Sequence, residues 1–147
     1  MGRIFLETSA LVKLYHLEPG SEKLDVIIKP TDTLSISSMA RLEFVSIIFG
    51  HIRRGQITES LAQKQLQLFQ SDMNNFHIIK YDYHIFTIAV SLFENYASKM
   101  NIDSREVLHV ASAKPLLKLG LDYFVSCNPV IIKLAKLEGF RTINPLE

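Results

Sequence analysis

One cysteine, Cys127, is all that the 147 residues contain. An internal disulfide is therefore excluded, as is a zinc site built on several cysteines. Glycine is scarce as well. The six glycines, at positions 2, 20, 50, 55, 120 and 139, form neither a phosphate-binding loop nor a dinucleotide fingerprint. No HExxH or G-x-S-x-G segment occurs, so the signatures of a zinc peptidase and of an esterase are both missing. There is no excess of either charge. Sixteen Lys and Arg against fifteen Asp and Glu leave a formal +1. Nucleic acid would not be held by bulk charge alone, which leaves local patches and bridging metal ions. No apolar run approaches the roughly 20 residues of a spanning helix, so no membrane segment is expected. Glu7 interrupts any signal-peptide core near the N-terminus, and the expected location is the cytoplasm.

Hydrophobic residues make up 48% and charged residues 21%, the balance of a globule with a core. The length suits one domain, residues 1–147. Arg3 to Leu6 reads as a strand ending at Glu7. Thr8 or Ser9 can cap a helix running to about Glu18, and Pro19-Gly20 breaks it. Ser21 opens a second helix, and Thr33 to Ser37 is a second strand. Ser38 starts a third helix, Met39 to Arg54, stopped by Gly55. It is apolar nearly all round, which predicts burial on more than one side. Thr58 caps a fourth helix that pairs with the third. A strand over 76–81, a helix over 82–98, a helix over 103–119, a strand over 123–126, a helix over 129–137 and a strand over 140–143 complete the chain. Strands alternating with helices predict a parallel sheet of about five strands covered on both faces, an α/β/α sandwich. Ligands in such sheets bind beyond the carboxyl ends of the strands, where strand order reverses.

Four residues could supply chemistry there. Glu7 follows the first strand, Asn128 follows the fourth, Glu43 lies in the apolar third helix, and Glu106 opens the sixth. Converging carboxylates repel unless something positive compensates. A hard cation such as Mg²⁺ or Mn²⁺ does so and prefers oxygen ligands. Each residue also has a purely structural role open to it. Glu106 three residues after Asp103 makes a capping box. Glu43 could pair with a buried basic group. Glu7 could serve a turn or a helix dipole. Asn128 before Pro129 suits a helix N-cap. The five histidines show no ligand spacing, and His109 reads as a packing residue. Cys127 reads as a small buried side chain. Arg53-Arg54 complements a helix dipole, with an RNA phosphate contact left open.

The stretch FLETSALVKLY at 5–15 resembles the opening LDTSALVKLY of PIN-domain proteins, VapC-type toxins in particular. SSMARLE at 37–43 is similar to their SSLARLE. REVLHVASA at 105–113 resembles LDALHLASA, FVSCN at 124–128 resembles FVTCD, and residues 137–145 resemble the tail LEGLxVxNP. The resemblance implies a PIN-like α/β/α sandwich and a Mg²⁺- or Mn²⁺-dependent endoribonuclease. It implies a homodimer, an RNA substrate and a small antitoxin partner. The family's acidic site falls on Glu7, Glu43, Glu106 and Asn128. Its supporting hydroxyls fall on Thr8, Ser9 and Ser126. Three positions depart: the family has Asp where this chain has Glu7, Glu106 and Asn128. Each Asp-to-Glu change adds a methylene and moves the carboxylate by about 1.5 Å. The expectation is a weakened nuclease in which Glu7, Glu43 and Glu106 hold one ion loosely, with Asp103 as a substitute ligand. The alternative is a degenerate PIN module that binds RNA or an antitoxin-like protein without cutting.

Overall fold

The computed structural model describes residues 1–147. Five parallel strands form one sheet: β1 (Arg3–Leu6), β2 (Thr33–Ser37), β3 (His77–Ile79), β4 (Tyr123–Val125) and β5 (Thr142–Ile143), in the order β3-β2-β1-β4-β5. Seven α-helices connect them: α1 (Thr8–Leu11), α2 (Ser21–Ile27), α3 (Ser38–Arg53), α4 (Glu59–Asp72), α5 (Tyr83–Tyr96), α6 (Ser104–Ala113) and α7 (Pro129–Leu137). The expected PIN-like α/β/α sandwich is the fold that forms. No helix is long and apolar enough to cross a membrane.

Side-chain alternation along each strand divides the core between the two faces. Phe5 and Phe124 point to one face, with ring centroids 5.0 Å apart. Ile85 and Leu92 of α5, Val107 and Val110 of α6, and Ile131 and Leu134 of α7 cover them. Ile4, Leu6, Ile36 and Val125 point to the other face, under Leu11, Leu24, Phe44 and Ile48 of the first three helices and Phe69 of α4. The sheet is buried on both sides, as parallel sheets require.

Several boundaries differ from expectation. The first helix spans only Thr8–Leu11, continues as a 3₁₀ turn over Val12–Leu14, and does not reach Glu18. Its cap is Glu7, not Thr8 or Ser9, because the carboxylate reaches the Ser9 N–H at 2.8 Å. α3 starts one residue early because Ser37, not Ser38, caps it. The helix expected over 103–119 is α only to Ala113, and Pro115, which lacks an N–H, lies in the 3₁₀ stretch Lys114–Leu119 that follows. β3 and β5 are shorter than the apolar runs suggested. α3 is not enclosed: Phe44 and Ile48 are buried, whereas Leu42 is 73% exposed and Phe49 45%. Its second apolar side faces solvent. Arg53 and Arg54 lie at its exposed C-terminal end.

Candidate metal centre

The chain leaves β1 toward β2 and β3 on one side, and returns through β4 and β5 on the other. Strand order therefore reverses between β1 and β4, the place where open α/β sheets leave a crevice. The register pairs Leu6 with Val125, which sets Glu7 beside Ser126. The ladder continues one step further, with the Glu7 N–H donating to the Val125 carbonyl at 2.9 Å. Glu7, Glu43, Asp103, Arg105, Glu106, His109, Asn128 and Ile131 line one cleft of about 100 Å³ at this point. That is room for about three waters, or an ion with a few waters. Larger hollows, such as one of about 410 Å³ lined in part by His84, Lys114 and Glu138, gather no comparable acid set, so size does not locate the chemistry.

Hydroxyl groups fix the acids. Glu7 is 5% exposed. Its Oε2 accepts from the Ser9 N–H at 2.8 Å, the Ser9 hydroxyl at 2.6 Å and the Ser126 hydroxyl at 3.3 Å. Ser9 Oγ in turn accepts the Cys127 N–H at 2.9 Å, and Ser126 Oγ accepts the Asn128 N–H at 3.0 Å. The β1 and β4 ends are thereby tied together around one carboxylate. Cys127 contributes backbone rather than chemistry: it is half-buried, and burial pushes its thiol pKa up.

Glu43 reaches the cleft from the second turn of α3. Its Oε1 accepts from the Thr8 hydroxyl at 2.8 Å and meets His109 Nε2 at 2.5 Å. Its Oε2 lies 3.8 Å from Arg105. Burial works to raise the Glu43 pKa. Hydrogen bonding and charge from His109, with Thr8 and Arg105 adding, outweigh it and hold the carboxyl below the ordinary range. The basic partner expected for a buried Glu43 is thus present, and it is chiefly a histidine.

His109 corrects the sequence reading. It is 1% exposed, yet it is not a mere packing residue. Nε2 faces Glu43, and Nδ1 lies 3.2 Å from Ser37 Oγ, the cap of α3. One imidazole thus couples α3 to α6. The available signal was its spacing: three residues after Glu106, His109 projects from the same face of α6.

The structural roles open to Glu106 and Asn128 are both taken up. Glu106 Oε1 accepts the Asp103 N–H at 2.9 Å and Asp103 Oδ1 accepts the Glu106 N–H at 2.8 Å, a closed capping box. Asn128 Oδ1 accepts the N–H groups of Val130 and Ile131 at 2.9 and 3.2 Å. Both lone pairs of that carbonyl are spent on α7, so its amide N–H₂ is the group left for the cleft.

The donor set suits a hard cation held directly by one or two of the acids and through water by the rest. Glu7 Oε1, Glu43 Oε2 and Glu106 Oε2 accept no hydrogen bond from the protein, and of the three only Glu43 Oε2 has an ion-pair partner, Arg105 at 3.8 Å. As a set they do not close to within 4.8 Å of one another. Like charges keep apart, and Mg²⁺ commonly uses one or two carboxylates and keeps several waters.

Solved structures share this architecture across nearly the whole chain. A chain of DNA-bound VapBC from Salmonella typhimurium superposes with a TM-score of 0.66 at 15% identity, covering 99% of both chains. FitAcB from Neisseria gonorrhoeae gives 0.66 at 18% identity, covering 97% of both. VapC20 from Mycobacterium tuberculosis, a sarcin-ricin loop cleaving toxin, gives 0.63 at 13% identity, covering 94% of this chain and 96% of that one. These likenesses establish the fold. No family model and no curated protein matches the sequence.

Proposed function

We propose that the chain is a divalent-metal-dependent endoribonuclease of the PIN/VapC toxin type, slowed by its substituted acidic site. One observation carries the reading: Glu7, Glu43 and Glu106, from three separate elements, line one cleft and each keeps a carboxylate oxygen that accepts no hydrogen bond from the protein. Fold likeness to a sarcin-ricin loop cleaving toxin supports the choice of RNA.

Glu7, Glu43 and Glu106 would hold one Mg²⁺ or Mn²⁺, one or two of them directly and the rest through bound water. When bound, such an ion acidifies water and offsets charge on a phosphate. The protein's own part is positioning. Ser9 and Ser126 hold Glu7, Thr8 and His109 hold Glu43, and the capping box holds Glu106. Arg105, with 70% of its side chain exposed, stands at the mouth as a cation for phosphate oxygens. The Asn128 amide N–H₂ orients water or substrate.

The surface supports binding of partners. Leu42 and Phe49 on α3 and Tyr83, Phe86 and Val90 on α5 are exposed apolar groups of the kind that mark protein contacts. They suit a homodimer and a small antitoxin, in the cytoplasm. The degenerate-module alternative draws on a different observation, the capture of Asn128 Oδ1 by α7.

Cleavage of a structured RNA hairpin tests the proposal. Products are expected with Mn²⁺, none after chelation by EDTA, and recovery on adding Mn²⁺ back. Binding without any product at millimolar Mn²⁺ would establish the module reading instead.

A further inference from the structure

Elsewhere in the fold, His16, Glu18 and His51 bring three ligand atoms within 4.8 Å of one another. No sequence spacing announces this set. His16 and Glu18 follow the 3₁₀ turn after α1, and His51 sits near the end of α3. His51 lies eight residues beyond Glu43, roughly 12 Å along the helix, so the cluster shares no residue with the acidic cleft.

We propose that His16, Glu18 and His51 form a second, separate metal site that takes a borderline transition-metal ion such as Zn²⁺. Two imidazoles and a carboxylate are donors that suit Zn²⁺, whereas Mg²⁺ prefers oxygen alone. Three protein ligands leave a fourth tetrahedral position for water.

Two unmet hydrogen-bonding groups point the same way. His51 is 8% exposed, and its Nδ1 is buried without a partner. Its ring centroid lies 4.4 Å from that of His16. The second orphan is Gln65 Oε1, whose own amide nitrogen lies 3.4 Å from His16 Nδ1. A half-turn of that amide lets Oε1 accept from the His16 Nδ1–H. The Nε2 lone pair of His16 is then left for an ion, the usual support of a histidine ligand.

The surrounding charges set the strength. Lys13 Nζ holds Glu18 Oε1 at 2.9 Å and leaves Oε2. Arg54 bears on His51 with its positive charge and Glu18 with its negative one. Lys13 and Arg54 also oppose an incoming cation, so binding is of moderate strength. The bound ion would clip the segment after α1 onto α3, with Gln65 of α4 behind it.

Zinc titration of the chelator-stripped, full-length protein in excess Mg²⁺, read by calorimetry and thermal melting, tests this. One Zn²⁺ per chain is expected. At a hundredfold excess over the Kd, linkage gives a melting rise of about 5–10 °C. Both effects should vanish in His16→Gln and in His51→Gln and persist in Glu43→Gln. Absence of saturable binding, retention in both histidine variants, or loss only in Glu43→Gln would overturn the site without touching the nuclease proposal. Co²⁺ in the unmutated protein gives a reading independent of variant folding. Intense tetrahedral absorption is expected, and a weak octahedral spectrum would contradict the site.

Discussion

Replacing Glu43 by glutamine is expected to lower metal-dependent RNA cleavage by a hundredfold or more, with the fold preserved. Glutamine has the same shape, and its Oε1 can still accept from Thr8 and from His109, the two donors that hold Glu43. What disappears is a negative charge in the one acid that retains the residue of the resembled family. A change of about 1 Å in a reacting geometry can already cost a hundredfold, and losing a charged ligand is a larger disturbance. The measurement is kcat/KM on a fluorescent hairpin across Mn²⁺ concentrations. Equal rates in the two proteins would remove Glu43 from the machinery. The same variant has a stability signature. Glu43 is held below the ordinary carboxylate pKa of about 4.3, so its stabilisation is complete above that value and is lost as pH falls through the depressed folded-state pKa. The stability advantage of the unmutated protein over Glu43→Gln should therefore shrink on acidification below about pH 4, as read by urea midpoints.

Placing aspartate at three positions together, Glu7→Asp, Glu106→Asp and Asn128→Asp, should raise the single-turnover cleavage rate by up to about a hundredfold. Two surplus methylenes are removed and one negative charge is added. The structure makes the positions unequal. Asn128→Asp keeps the α7 cap, because one carboxylate oxygen can take both N–H groups that Oδ1 takes now. The second oxygen is then free for the cleft, and a negative charge suits the N-terminus of a helix. Glu106→Asp shortens the arm that reaches the Asp103 N–H, so the capping box weakens. A melting temperature lower by a few degrees should accompany the faster rate. An unchanged or slower rate would show that side-chain length does not limit this site, and would favour the binding module.

Much of this was legible in the order of residues. The unbroken apolar run Ile4, Phe5 and Leu6 marks a strand buried on both faces, and it forms the centre of the sheet. Capping signals are local, and Asp103 with Glu106, Thr58 and Asn128 act as their spacing implies. Acids at strand ends and helix starts gather because parallel strands all end on one side. The partner of Glu43 was hidden for the opposite reason. His109 is 66 residues away, and only the packing of α6 against β2, the strand that runs directly into α3, brings them together. The same holds for His16 and His51. The open side of α3 was not legible because an apolar helix reads alike whether or not the rest of the chain covers it. The early end of α1 was not legible because apolar spacing does not register that the chain tightens into a 3₁₀ turn at Val12.

A crystal soaked in Mn²⁺ and measured at the manganese absorption edge tests the metal centre most directly. An anomalous peak bounded by Glu7, Glu43 and Glu106 is expected. A cleft with no such peak at millimolar Mn²⁺ would contradict it.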